Sequence, residues 1–71
     1  MSGLSPNQRR VLRVLAARGD RPDVLLKGRG ELASAAVLRR LGLAERTGTG
    51  WFNGERWRLT PAGEEEAARV G

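Results

Sequence analysis

Seventy-one residues suffice for one domain, close to the lower size limit for a self-supporting hydrophobic core. The absence of cysteine and histidine excludes disulfides, zinc fingers, Cys or His nucleophiles and most transition-metal sites. Thirteen Lys and Arg, twelve of them Arg, against eight Asp and Glu give a net charge of +5. Residues 1 to 58 hold twelve basic and five acidic groups, and residues 59 to 71 hold one and three, a basic body with an acidic end that suits a polyanionic partner. A genome that favours arginine codons gives the same composition.

The elements follow in chain order. Ser5-Pro6-Asn7-Gln8 predicts a capping box with proline at the first helical position. Val11, Leu12, Val14 and Leu15 then share one helical face, and Arg9, Arg10 and Arg13 the opposite one. Gly19, with Asp20 and Pro22 after it, is expected to stop this helix. Residues 22 to 27 read two ways: Pro22 can open a short helix, or Val24-Leu25-Leu26 can form a short strand. Gly28-Arg29-Gly30 is expected to be a turn, because paired glycines weaken any regular element.

A helix is expected from Glu31 to Leu41. Ser34, Val37, Leu38 and Leu41 cluster on one side with Ala33 at its edge, and Ala35, Ala36, Arg39 and Arg40 lie toward the other. Gly42 closes it as a left-handed cap, with Leu43 packing back. A hairpin follows, with arms Leu43 to Thr47 and Glu55 to Leu59 joined through Asn53-Gly54, a dipeptide that favours a type I′ turn. Thr47-Gly48-Thr49-Gly50 interrupts the first arm and predicts a bulge or a widened loop. In the second arm Trp57 and Leu59 alternate with Arg56 and Arg58, giving one apolar and one cationic face. Thr60-Pro61 caps a last helix running to about Val70, with Glu64, Glu65 and Glu66 near the positive end of its dipole. No apolar run approaches a membrane span, and Met1-Ser2-Gly3-Leu4 lacks the regions of a signal peptide, so a cytoplasmic protein is expected.

The stretch Leu38-Arg39-Arg40-Leu41-Gly42-Leu43-Ala44-Glu45, the Gly- and Arg-rich hairpin, and Leu59-Thr60-Pro61-Ala62-Gly63 together resemble winged helix-turn-helix transcription regulators of the MarR and PadR kind. The resemblance covers roughly residues 30 to 63. It implies a mainly α fold with a small β-hairpin: a three-helix core, a two-stranded wing and a C-terminal helix. The chain departs from those families in its short second element and in showing none of their long dimerisation helices, so what carries over is the DNA-binding fold.

By position, the resemblance implies a recognition helix from Glu31 to Leu41, entered through Arg29, with Ala35, Ala36, Arg39 and Arg40 toward a major groove. Alanines let a helix approach closely and can meet a thymine methyl, and an arginine can take a guanine. Arg46, Arg56 and Arg58, with Thr49 and Asn53, are the expected wing contacts to the minor groove or adjacent phosphates. Charged residues guarding an edge strand are the structural alternative. Trp57 is expected in the core, whereas Trp51 and Phe52 read as a base-stacking pair, a protein anchor or a cap over the core. Gly28-x-Gly30 and Gly48-x-Gly50 lack the rest of a phosphate-cradling loop, and no nucleophile, base and oxyanion hole assemble. The expectation is a non-catalytic, cofactor-free and metal-free binder of double-stranded DNA, of the compact kind carried by phages or mobile elements. It would act as a homodimer or in tandem. The rival expectation is a winged-helix module gripping a protein of the transcription or recombination machinery.

Overall fold

The computed structural model describes residues 3 to 70, with the Val70 side chain outside the description. The elements are α1 (Pro6–Ala16), β1 (Val24–Leu26), α2 (Arg29–Arg40), β2 (Ala44–Thr49), β3 (Glu55–Leu59) and α3 (Pro61–Val70). The three helices accompany a three-stranded antiparallel sheet of order β1-β3-β2. The Val-Leu-Leu run is therefore a strand, and it pairs with β3 as a third member of the sheet. The expected two-stranded wing and separate short second helix are corrected by this pairing. A three-residue apolar run has no periodicity of its own, and its partner is about thirty residues away, with Val24 opposite Trp57.

α1 starts as its sequence dictates. The Ser5 hydroxyl accepts from the Gln8 amide at 3.2 Å, and the Ser5 amide donates to the Gln8 side chain at 3.0 Å. The helix ends at Ala16, three residues before Gly19, whose φ of +66° turns the chain. α2 starts earlier than expected. Arg29 and Gly30 belong to its first turn, because the Glu31 carboxylate accepts from the Gly28 amide at 3.2 Å and holds Gly28 as the N-cap. At its other end Gly42 has φ +78° and the Leu43 amide returns to the Leu38 carbonyl at 2.8 Å, a Schellman closure.

A Cβ added at Gly30 meets nothing within 4 Å. Gly30→Ala is thus expected to stabilise the fold by about 0.5–1 kcal/mol, the helical cost of glycine. A higher urea midpoint with an unchanged slope checks this; a lower midpoint contradicts the helical assignment of Gly30.

The apolar residues of all six elements meet in one core of Leu4, Val11, Leu12, Leu15, Leu26, Ala35, Leu38, Ala44, Trp57, Leu59 and Ala67. Helices cover one face of the sheet, the face carrying Trp57, Leu59 and Ala44. α3 is anchored through Thr60. Its hydroxyl accepts from the Gly63 amide at 3.1 Å and donates to the Gly42 carbonyl at 2.6 Å, and its amide donates to the Leu43 carbonyl at 3.0 Å. One threonine thus caps α3 and ties it to the end of α2.

Candidate nucleic-acid interface

Helical geometry sets the outward face of α2. Arg29, Ala33, Ala36 and Arg40 stand at i, i+4, i+7 and i+11 and are all exposed, forming one stripe. Eleven rises make it about 16 Å long. Arg39 is exposed to one side of the stripe. Ala35, expected on this face, is instead fully buried at 0% exposure among the core residues. Ala33, read from sequence as the edge of the buried side, takes its place. Leu41, expected inside, is 56% exposed. The small residues between the end arginines leave the middle of the helix free to approach another surface.

The arginines of the β2–β3 hairpin occupy two different faces. Across the β2–β3 ladder Arg46 is opposite Trp57, and Glu45 is opposite Arg58. Directly opposed residues of a ladder share a face, so Arg46 lies at the rim of the helix-facing side and Arg58 on the other. Arg56 and Arg58 project from the sheet face turned away from the helices, as the alternation in β3 predicts. The bulge expected in the first arm is present between Arg46 and Gly48, and β2 continues past it to Thr49. Thr49 is exposed opposite Glu55, and Asn53 is exposed in the turn.

Each hairpin arginine is already paired. Arg56 meets Asp23 at 3.2 Å, Arg58 meets Glu45 at 2.5 Å and Arg46 meets Glu55 at 3.6 Å. Asp23 also accepts from the Thr47 hydroxyl at 2.9 Å, so it ties β1 to both other strands across the outer face. Such half-exposed pairs add little stability, but they cancel the field an approaching phosphate would feel.

The helices are different. Arg9, Arg10 and Arg13 on α1 and Arg29, Arg39 and Arg40 on α2 are exposed and have no ion pair among the described residues. Those six arginines with the single Glu31 carry the chain's whole net charge of +5; the seven cations elsewhere are matched by seven carboxylates. The net positive charge lies on α1 and α2, α3 carries a net charge of −2, and the sheet together with Asp23 is electrically balanced. The sequence points to arginines of both α2 and the hairpin, and the cross-strand partners that pair the hairpin set appear only in the folded sheet.

Between the starts of α1 and α2 lies an open cleft of about 320 Å³ lined by Asn7, Arg10, Gly28, Gly30, Glu31 and Ser34. It brings Arg10 of the first helix beside the N-terminal turn of the second. Among the described residues no group of His, Cys, Asp or Glu could hold a metal ion, and no helix is long and apolar enough to cross a membrane. Comparison with protein-family models, curated proteins and solved structures finds no match for this chain.

Proposed function

We propose that this protein binds double-stranded DNA through α1 and α2, as an abbreviated winged helix that regulates transcription. α2 enters the major groove along the Arg29-Ala33-Ala36-Arg40 stripe, and the α1 arginines reach neighbouring phosphates. The order helix, strand, helix, two-stranded hairpin, helix supports the winged-helix reading, with β1 standing in the chain where the resemblance implied a second helix. The observation that carries the proposal is the confinement of all net positive charge to α1 and α2, with every one of their arginines unpaired among the described residues. A B-DNA major groove about 12 Å wide admits a helix, and alanines at the stripe's centre let its backbone come close to base edges.

Arg29 and Arg40 at the stripe's ends can each take a phosphate or a guanine. With two alanines between them, the helix reads few bases, so most affinity is electrostatic and useful occupancy needs a dimer or tandem copies. Four to six phosphate contacts at about −0.9 each give a slope of log affinity on log salt of about −4 to −5. Fluorescence anisotropy of a labelled duplex at several salt concentrations measures it. A slope near zero is incompatible with the proposal.

The rival reading is a winged-helix module that grips a protein of the transcription or recombination machinery. It is favoured by one observation: Trp51 and Phe52 at the hairpin tip are 73% and 86% exposed. Under that reading Trp51→Ala abolishes partner capture while duplex binding is weak throughout.

A further inference from the structure

The hairpin does not turn where its sequence prefers. Asn53-Gly54 at the two central positions would give a relaxed type I′ turn. Instead the Gly54 amide donates to the Trp51 carbonyl at 3.0 Å, so the central pair is Phe52 and Asn53, with φ of 55° and 63°. A left-handed backbone is rare for a bulky side chain such as phenylalanine. The register is held from below. A Cβ at Gly54 would come within 2.9 Å of Leu25 Cδ1, 3.1 Å of the Trp51 carbonyl oxygen and 3.2 Å of the Leu26 carbonyl oxygen, so this glycine is committed to the packing against β1. The outcome is that both aromatic rings are lifted out of the ladder and presented at the tip.

The chemistry around the tip is one-sided. The Lys27 ammonium lies 5.5 Å from the Phe52 ring centroid, a cation–π distance. The adjacent carboxylate, Glu55, is engaged by the Trp57 indole at 3.0 Å and by Arg46 at 3.6 Å. Lys27 stands two residues before Arg29, so the tip flanks the N-terminal end of α2, where the unpaired arginine stripe begins. Two exposed rings, a cation over one of them and an adjacent carboxylate already engaged fit a partner made of π-faces strung on phosphates.

We propose that Trp51 and Phe52 form an aromatic wedge that inserts between base steps of the duplex lying along α2, and that Lys27 holds the flanking phosphate. This rests on the DNA-binding reading above. Apolar side chains inserted from the minor groove partly unstack a step and kink the duplex, and the cost is lowest at flexible or mismatched steps. A strained phenylalanine at the tip of a fixed turn suits that use, because backbone outliers persist where function holds them.

Tryptophan emission separates the two indoles. Trp57 is buried and bonded to Glu55, while Trp51 is exposed and is expected to emit to the red of it. The full chain is titrated with a duplex of random sequence and with the same duplex carrying one central mismatch. The red component is expected to be quenched on binding, and the mismatched duplex to bind more tightly. Trp51→Phe should remove the quenching with little loss of affinity. Phe52→Asn, which the left-handed backbone accepts readily, should fold with an equal or higher Tm. It should bind about 5- to 150-fold more weakly, the range for one base–aromatic stack, and lose the preference for the mismatch. Duplex binding with unchanged red emission and undiminished affinity of Phe52→Asn overturns the wedge and leaves the groove reading standing. Absence of binding to either duplex overturns both.

Discussion

Replacing Arg29 and Arg40 together by alanine is expected to weaken duplex binding by about 30-fold or more, at about 1–3 kcal/mol for each guanidinium removed from the DNA. If both guanidinium groups touch phosphate, the salt slope should shrink by about two. The informative comparison is Arg56→Ala with Arg58→Ala. Both double variants lower the net charge from +5 by two, so a difference between them reports location and not total charge. The sheet arginines already face Asp23 and Glu45, and their removal is expected to cost only a few-fold. Equal losses from the two variants would mean that only net charge matters, and a larger loss from the sheet pair would move the interface to the sheet's outer face. Circular dichroism on both variants checks that the fold is intact.

The second large effect concerns Gly63. Alanine is the better helix former by about 1 kcal/mol, and Gly63 lies inside α3, so propensity alone expects Gly63→Ala to stabilise. The packing expects the opposite. A Cβ there would overlap the Leu43 carbonyl oxygen and come within 2.8 Å of its carbon, both backbone atoms, and within 3.2 Å of a Leu59 methyl. The same carbonyl accepts the Thr60 amide, so it cannot retreat without breaking the bond that starts α3. A loss of about 3 kcal/mol is expected, as for an overpacked core. A domain of this size has about 4–10 kcal/mol in all, so Tm should fall by roughly 10–20 °C. Thermal unfolding followed by far-ultraviolet circular dichroism tests it, and an unchanged or raised Tm would show that α3 does not dock on Leu43 this closely. Gly63 is thus explained by close approach: the helix must start against another segment's backbone.

What could be read from the sequence was whatever a few neighbouring residues decide. The Ser5–Gln8 box, the Gly42 cap and the Thr60 cap are local exchanges of hydrogen bonds, and the alternation of Trp57 and Leu59 with Arg56 and Arg58 is a property of one strand. Errors arose where a distant partner decides. β1 owes its conformation to β3. Glu31, by turning back to the Gly28 amide, makes Gly30 helical and brings Arg29 into the stripe. That starting point reveals the spacing from Arg29 to Ala33, Ala36 and Arg40, and with it the wrong choice of Ala35.

The paired state of the hairpin arginines was hidden by register. A two-residue turn at Asn53-Gly54 sets Thr49 opposite Arg58. The observed three-residue connection between Gly50 and Gly54, with the bulge at Thr47, sets Glu45 there and creates the ion pair. Asp23 was legible only as part of the segment 22 to 27, readable as helix or strand, and its bonds to Arg56 and Thr47 require the complete sheet. Balance of charge across strands is a tertiary property. It shifts the weight of a candidate interface expected on both helix and hairpin toward the unpaired arginines of the helices.

The most direct test of that relocation maps the binding surface residue by residue. In an amide-resolved NMR titration of the isotope-labelled protein with a short duplex, the largest shifts are expected at Arg29, Ala33, Ala36 and Arg40, with smaller ones at Arg9, Arg10 and Arg13. Perturbations concentrated at Glu45, Arg56 and Arg58, with α2 silent, would contradict the account.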